Sequence, residues 1–368
     1  MKLRKYRPYT KYKYRINFAE KFADRYFDLA FNFYESGELE KAIKFYTDSI
    51  RLDSKQASAY YNRGIAFGDI GEADKAITDY TKAIKLNPQY SEAYHNRGRQ
   101  FERVKQEMDK AFDDYNKAIE CNPENPNPYV GRGNFYRDKK KLDLALADYN
   151  KAIENRSDYA AAYIGRGTIY YDKGMYDEGV KAQTEAIKLD SNNHLAYYHR
   201  ANDYRKLDEF ENALADYTKS IEIKPQYQNS LNERALTFEI LDRLEEAIND
   251  FNQLISINPK NKHAFINRGN IYRKQGEFDK AVADYNQSIS NTPDYELPYR
   301  NLGLALFDKG EYEKAIEAYS KAVELNPNFA STYKYRMEAH RKIGNEENAL
   351  SDEQRMKELE NKEKPTDI

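Results

Sequence analysis

Arginine and aspartate recur in this 368-residue sequence at a fixed distance from one another. Seven arginines, separated by multiples of about 34 residues, are each followed by an aspartate sixteen or seventeen residues later. The sets are Arg63 with Asp79, Arg97 with Asp114, Arg132 with Asp148, Arg200 with Asp216, Arg234 with Asp250, Arg268 with Asp284, and Arg336 with Asp352. A guanidinium and a carboxylate form a bidentate, charge-assisted pair, so the pattern predicts a structural ion pair in each copy. The alternative is a ladder of arginines that binds an anionic ligand.

The exceptions favour the structural pair. Two copies lack the arginine, and they also lack the acid: Leu29 stands opposite Phe45, and Leu302 opposite Ala318. Arg166, opposite Ala182, is the one arginine of the series without an aspartate. Because base and acid are lost together twice, the interpretation as an ion pair explains the pattern better than a ligand-binding ladder does.

Asparagine recurs one residue before the arginine position, at Asn62, Asn96, Asn267 and Asn301. An asparagine amide carries both donors and an acceptor, so it can pair with the backbone of an extended peptide whatever the sequence of that peptide. The alternative is that asparagine is simply a solvated residue of a helix surface. The two interpretations remain open at this point.

A second recurrence joins asparagine and arginine one helical turn apart. The sets are Asn134 with Arg137, Asn202 with Arg205, and Asn270 with Arg273. With Lys206 and Lys274 beside them, these residues predict a locally basic surface suited to an acidic peptide segment. The alternative is a solvated charged face, balanced by acids such as Asp138 and Glu239.

These residues need helices to position them, and the sequence repeats a two-helix pattern ten times. The repeats begin near residues 23, 57, 91, 126, 160, 194, 228, 262, 296 and 330, and we number positions within each from its start. Positions 4, 8 and 11, and then 20, 24 and 27, keep helical spacing on one face, with a turn near position 15. Repeat 3 carries one extra residue between Phe101 and Ala111, which predicts a lengthened turn between its helices.

The pattern of large aromatic, small, aromatic, Ala, aromatic, Ala and Pro residues resembles the tetratricopeptide repeat family. The departures are Tyr instead of Trp and Arg instead of Leu at position 7. The resemblance implies an all-α, right-handed superhelical solenoid whose first helices line a concave groove with positions 2, 5, 6, 9, 12 and 13. The position 6 asparagines resemble a broken form of the asparagine ladder of O-linked N-acetylglucosamine transferases. The lysines and asparagines of the family's chaperone-tail binders are not matched.

Composition is balanced and offers little chemistry outside the repeats. The chain has 59 basic and 61 acidic residues, so no net field attracts nucleic acid or membranes. The single cysteine, Cys121, has no disulfide partner, and no apolar run approaches the length of a membrane span. The five histidines keep no metal-ligand spacing. We therefore expect a protein that is not an enzyme and that holds no cofactor or metal. We also expect it to be soluble, intracellular and cytoplasmic.

Residues 23–360 are predicted to form one domain of ten repeats, flanked by segments of different character. In segment 1–22, residues 1–15 hold seven basic residues, four tyrosines and no acid, a composition that can bind nucleic acid or acidic membranes. Short charged tails are often disordered and without function. Residues 361–368 form a polar tail.

The sequence thus predicts a protein interaction scaffold that binds segments of one or more partner proteins in its groove. One alternative is a nucleic-acid-associated protein, whose binding would depend on salt and on residues 1–15. Another is a non-catalytic regulatory subunit of a larger complex, which would bind through its outer face.

Overall fold

The computed structural model describes residues 18–363, which form twenty α-helices and no strand within that range. The predicted all-α fold is confirmed. The basic segment from Met1 to Arg15 lies outside the described residues, as do residues 364–368 of the polar tail. The chain divides into two compact bodies, the first ending at Ser191 and the second beginning at Asn192. The single domain of residues 23–360 stays a prediction.

The first body holds repeats 1 to 5, each a pair of helices. They are α1 (Phe18–Glu35) with α2 (Leu39–Leu52), α3 (Ala57–Asp69) with α4 (Ala73–Leu86), α5 (Ser91–Gln100) with α6 (Met108–Cys121), α7 (Pro126–Asp138) with α8 (Leu142–Asn155), and α9 (Ala160–Asp172) with α10 (Tyr176–Leu189). Turns of two or three residues join most pairs, so the two helices of a pair run antiparallel.

The second body holds repeats 6 to 10 in the same arrangement. They are α11 (His194–Lys206) with α12 (Phe210–Ile223), α13 (Gln228–Ile240) with α14 (Leu244–Ile257), α15 (Lys262–Lys274) with α16 (Phe278–Asn291), α17 (Glu296–Lys309) with α18 (Tyr312–Leu325), and α19 (Ala330–Lys342) with α20 (Glu346–Glu363). None of the helices between residues 18 and 363 combines the length and the apolar character that crossing a bilayer requires.

Tyrosine at position 24 forms the centre of most repeats, and it explains the small residue at position 8. Tyr80 and Tyr149 are fully or almost fully buried, and burying a ring of this size contributes roughly 1.5–3 kcal/mol. A Cβ added at Gly64 would lie 2.8 Å from the ring of Tyr80, and one at Gly133 would lie 2.9 Å from that of Tyr149. A larger residue at position 8 would push the two helices of the repeat apart.

The turn within each repeat depends on a left-handed residue at position 15. Six repeats use glycine there, including Gly71 with φ +82° and Gly310 with φ +85°. The other four place Gln106, Lys140, Asp208 or Asp242 in the same conformation, at φ values of 53° to 59°. Position 15 ends the first helix in this way whether or not glycine occupies it.

The extra residue of repeat 3 does not lengthen the turn, so that prediction was wrong. A π-helical turn, Phe101–Lys105, follows α5 directly, and α6 begins at Met108 after only two intervening residues. A π-helical turn absorbs one additional residue by closing its hydrogen bonds over a wider loop. The insertion therefore widens the end of the first helix.

Candidate functional site

The structure places each of the seven arginines at position 7 against its aspartate at position 23. In every pair Nε donates to Oδ2 and Nη2 donates to Oδ1, at 2.6–2.9 Å. The arginine side chains are 15–21% exposed and those of the aspartates 3–9%. These are well-aligned and largely buried pairs, for which loss of one partner is costly.

Aromatic rings at positions 4 and 11 both lie beside the guanidinium in five of the seven pairs. In repeat 4, the Arg132 guanidinium lies 5.7 Å from the ring of Tyr129 and 5.9 Å from that of Tyr136, within the range of cation–π attraction. Its hydrogen bonds to Asp148 raise the pKa of Arg132 above its ordinary value. The two rings and the carboxylate together form a cradle for the guanidinium.

Burial disfavours the charged forms of the same arginines and aspartates. In repeat 3, desolvation raises the pKa of Asp114, and the opposing hydrogen bonds from Arg97 offset only part of that rise. The arginine and the aspartate thus mainly compensate each other for being removed from water.

A third contact, which the sequence analysis missed, ties these arginines to the preceding repeat. In repeats 2, 3, 4, 7, 8 and 10, Nη1 donates to a side-chain oxygen at position 25 of the repeat before. The acceptors are Thr47, Thr81, Asn116, Thr218, Asn252 and Ser320. The available signal was the recurrence of Thr, Asn or Ser at position 25. The guanidinium is engaged along both edges, which favours a structural role over the anionic-ligand alternative.

In the repeats that lack the ion pair, other side chains occupy positions 7 and 23. In repeat 1, Phe45 stacks between Tyr26 and Phe33, with ring centroids 6.0 and 5.2 Å apart. In repeat 5, Arg166 lies 4.9 Å from the ring of Tyr163, and its buried Nε has no partner within residues 18–363. The aromatic stack replaces the ion pair in repeat 1, whereas repeat 5 keeps an arginine without an acid.

Three of the four asparagines predicted for a groove at position 6 are buried. Asn62, Asn96 and Asn301 are 5–8% exposed. Their Nδ2 atoms donate to the Ser58 carbonyl at 2.9 Å, the Tyr61 hydroxyl at 3.0 Å and Asn270 Oδ1 at 2.9 Å, in that order. Asn267 is half-buried, and its amide has no partner among residues 18–363. The asparagine series is therefore mostly used inside the fold.

Position 6 also carries glycine twice, for a reason visible in the packing. A Cβ at Gly131 would lie 2.6 Å from the Tyr115 ring, and one at Gly165 would lie 2.3 Å from the Tyr149 ring. In both cases the tyrosine belongs to the preceding repeat. At these two repeats a side chain at position 6 would overlap the neighbouring ring.

The asparagines predicted at position 9 hold the buried tyrosines of their own repeats. The hydroxyl groups of Tyr149, Tyr217 and Tyr285 donate to Oδ1 of Asn134, Asn202 and Asn270 at 2.6, 2.6 and 2.8 Å. Repeat 7 has Phe251, which carries no hydroxyl, and its position 9 is Leu236. Tyrosine at position 24 does not require asparagine at position 9, since Ile65 accompanies Tyr80 and Leu304 accompanies Tyr319.

The arginines predicted at position 12 each contact the following repeat. Arg137 Nη1 donates to Thr168 Oγ1 at 3.3 Å. Arg205 pairs with Glu233 at 2.8 Å, and Arg273 pairs with Asp308 at 2.7 Å. The predicted basic surface is consequently offset by two acids, Glu233 and Asp308, that the sequence analysis did not single out.

The His95 and Cys121 side chains bear on the reactivity of the chain. Burial lowers the pKa of His95 to about 3, so its imidazole stays neutral near neutral pH. Burial raises the pKa of the Cys121 thiol, which makes it less reactive. Within residues 18–363, no group of three or more His, Cys, Asp or Glu side chains could hold a metal ion.

Family models described as tetratricopeptide repeat or TPR repeat match the chain along most of its length. The matched residues are 32–71, 57–90, 79–111, 114–147, 133–174, 160–193, 194–227, 229–261, 269–310 and 298–329. No curated protein matches the sequence.

Several solved structures are similar to this chain. A chain of the APC/C hetero-tetramer Cut9–Hcn1 is 16% identical with a TM-score of 0.53, over 86% of this chain and 76% of its own. YrrB, described as a TPR protein with an unusual peptide-binding site, is 28% identical with a TM-score of 0.43, over 50% and 95%. Yeast Tom70 is 18% identical with a TM-score of 0.43, over 92% of both chains. The Cut9–Hcn1 likeness shows the fold alone.

Repeats of this kind are generally non-catalytic and in general support protein–protein interaction scaffolds. The recurring positions of the sequence, the ten helix pairs and the matching models agree with one another. The chain belongs to the tetratricopeptide repeat family.

Proposed function

We propose that this protein is a non-catalytic scaffold that binds extended segments of partner proteins along its first helices. The observation that carries the proposal is a set of amide groups with free donors in the second body. Asn267 has both amide atoms free among residues 18–363. Asn202 and Asn270 use only their oxygens, which accept from tyrosine hydroxyls and, at Asn270, also from Asn301 Nδ2. Free amide donors on a helix surface suit the carbonyl oxygens of an extended peptide.

Repeat 8 supports this proposal best. Asn267 and Asn270 lie three residues apart on α15, so they are neighbours on the helix surface. Lys274 lies one further turn along, and its pair with Asp242 is more than half exposed at the lysine. Two amides and an exposed cation in a row fit a segment that presents backbone carbonyls and an acidic side chain.

A crosslinking experiment with the full chain tests the proposal. A photo-crosslinking residue replaces exposed His263, at position 2 of repeat 8, or exposed Gln287, on the second helix of the same repeat. In the native cell, we expect crosslinks from position 263 to a defined partner segment and their loss on Asn267→Ala. The matched Gln287→Ala variant should keep them. Equal or stronger crosslinking from position 287 would instead favour binding through the second helices.

We also propose that the protein works in the cytoplasm. Cys121 is a free thiol, and an isolated reduced cysteine suits a reducing compartment. Imaging of the tagged full-length protein tests this location.

A further inference from the structure

Repeat 9 carries an open cleft where most repeats carry the ion pair. The cleft encloses about 470 Å³ between α16, α17 and α18. Val282, Leu302, Leu306 and Ala318 form its apolar wall, and Asn286 and Glu317 lie at its rim. Leu302 and Ala318 occupy positions 7 and 23, which are arginine and aspartate in seven other repeats. The cleft is therefore at the guanidinium position of the repeat pattern.

Repeat 8 shows what that position holds when it is filled. The Arg268 guanidinium lies 5.7 Å from the Phe265 ring and 5.8 Å from the Tyr272 ring. It donates to Asp284 within the repeat and to Asn252 at position 25 of repeat 7. The cradle thus has four parts: two rings, a carboxylate and a side-chain oxygen of the preceding repeat.

Repeat 9 retains part of this cradle without an arginine of its own. Tyr299 keeps the position 4 ring beside the cleft, and Asn286 keeps the position 25 oxygen on α16. The Asn286 amide is exposed and has no partner within residues 18–363. Leu306 replaces the second ring, and Ala318 replaces the carboxylate. One ring face and one acceptor for a guanidinium remain in place.

One carboxylate that lines the cleft, that of Glu317, is available to pair with a cation. Lys309 pairs with Asp279 and Glu311 at 2.7 Å, and Lys314 pairs with Glu311 at 2.7 Å. Lys321 pairs with Glu324 at 2.8 Å. The carboxylate of Glu317, one residue before Ala318, has no partner among the described residues. Three lysines and two glutamates line the cleft, and each lysine pairs with an acid, so Glu317 is the one lining charge without a partner among residues 18–363.

We propose that this cleft binds an arginine side chain presented by a partner protein. The aliphatic stem packs on Leu302 and Leu306, and the guanidinium stacks on Tyr299 while donating to Asn286 Oδ1 and the Glu317 carboxylate. The partner supplies in trans the group that seven repeats supply from their own position 7. Arginine suits the site better than lysine because its planar group stacks and donates along two edges.

This site is separate from the proposed peptide-binding face. Tyr299, Leu302 and Leu306 follow one another at intervals of three and four residues, so they form one stripe of α17. Position 9 of this repeat, Leu304, lies 200° around the helix from Leu302 at about 100° per residue. The test of arginine binding in the cleft is therefore independent of the test of peptide binding along the first helices.

The test measures binding of the blocked tripeptide acetyl-Gly-Arg-Gly-amide to the full chain by methyl NMR. We expect saturable shifts at the methyl groups of Leu302, Leu306 and Ala318. Ala318→Asp restores the carboxylate and should tighten binding roughly tenfold. Leu302→Arg combined with Ala318→Asp rebuilds the internal pair and should abolish binding.

Two peptides and two rim variants complete the test. The same tripeptide with citrulline, which keeps the shape but not the charge, should not bind, and the lysine tripeptide should bind more weakly. Asn286→Ala and Glu317→Gln alter exposed side chains, so the fold should survive, and each should weaken binding severalfold. Shifts that do not saturate, equal binding of the citrulline or lysine peptide, or unchanged binding by the variant with the rebuilt pair would each overturn the proposal.

Discussion

Repeats 8 and 9 are neighbours with the same helix pair, but they fill positions 7 and 23 with opposite kinds of side chain. Repeat 8 fills the space between its helices with Arg268 and Asp284, joined by two hydrogen bonds. Repeat 9 fills it with Leu302 and Ala318 and leaves a cleft beside them. Both repeats nevertheless bury their central tyrosine completely. A charged pair and an apolar pair are thus interchangeable here as pairs.

The comparison shows where the free energy of such a pair lies. Burying an arginine and an aspartate costs desolvation energy, and their hydrogen bonds return about as much. A pair of apolar side chains has neither this desolvation cost nor these hydrogen bonds. Large effects on stability are therefore expected when one partner is changed alone, and small effects when both are changed together.

The largest expected effect comes from stranding one buried charge. Asp148→Ala leaves Arg132 without its carboxylate, and we expect the free energy of unfolding to fall by about 3–5 kcal/mol. Urea unfolding followed by circular dichroism measures this change. The matched double variant, Arg132→Leu with Asp148→Ala, copies repeat 9 and should lose much less. Strictly additive losses in the resulting double-mutant cycle would remove the basis for the comparison.

A buried acid without a base gives the next effect, and it depends on pH. Asp203 is fully buried, both its carboxylate oxygens lack partners within residues 18–363, and burial raises its pKa to about 8. Its folded pKa lies above the unfolded one, so its contribution is complete at acid pH and is lost as pH rises. The free energy of unfolding should therefore fall as the pH rises from about 4 to about 8.

Asp203→Ala provides the control for that slope. Repeats 9 and 10 carry alanine at the same position, as Ala305 and Ala339, and both are fully buried. The variant should lose the Asp203 part of the pH dependence and be more stable than the wild type at pH 7. Urea unfolding at several pH values measures the pH dependence of stability in both proteins. If the variant and the wild type had the same slope, Asp203 would be ionised in the folded protein.

The pairing of positions 9 and 24 gives a smaller effect. Asn202→Leu removes the acceptor of the Tyr217 hydroxyl, and we expect a loss of about 1–3 kcal/mol. Adding Tyr217→Phe copies Leu236 with Phe251 and should recover most of it. Thermal unfolding of the single and double variants measures this recovery. No recovery would mean that the loss arises from packing of the new leucine.

The smallest effect tests the contact between repeats. Asn252→Ala removes the acceptor of Arg268 Nη1 and should cost about 1 kcal/mol. Asn286 occupies the same position one repeat later, where position 7 of the next repeat is Leu302 instead of arginine. Asn286→Ala should therefore leave stability unchanged. Equal effects of the two variants on urea unfolding would show that the hydrogen bond to the preceding repeat contributes nothing.

Much of the fold follows from repetition, because comparing ten copies separates shared positions from variable ones. The pairing of Arg132 with Asp148 was predictable since both residues vary together. The acceptor at position 25 was not found, because Thr, Asn and Ser share an oxygen but differ in type. The extra residue of repeat 3 was located by counting residues, but counting does not show whether the turn or the end of the first helix absorbs it.

The surface was harder to predict than the core. Asn62, Asn96 and Asn301 have the residue type and spacing of a ligand-binding row, yet the structure buries them. Their burial depends on how closely consecutive first helices approach, and that distance is set by side chains in neighbouring repeats such as Tyr61. The groove function of these positions stays a prediction, with Asn267 as its most accessible member.

The hydrogen bond from position 7 to position 25 has a direction along the chain. Each such arginine reaches back to a repeat that lies earlier in the sequence, as Arg63 reaches Thr47 and Arg132 reaches Asn116. A ribosome makes the earlier repeat first, and domains generally form in that order during synthesis. The position 25 acceptor is therefore in place before its arginine leaves the exit tunnel, whereas the aspartate of the same repeat follows sixteen or seventeen residues later. A growing chain can thus attach each new first helix to the preceding repeat before the second helix of that repeat has been made.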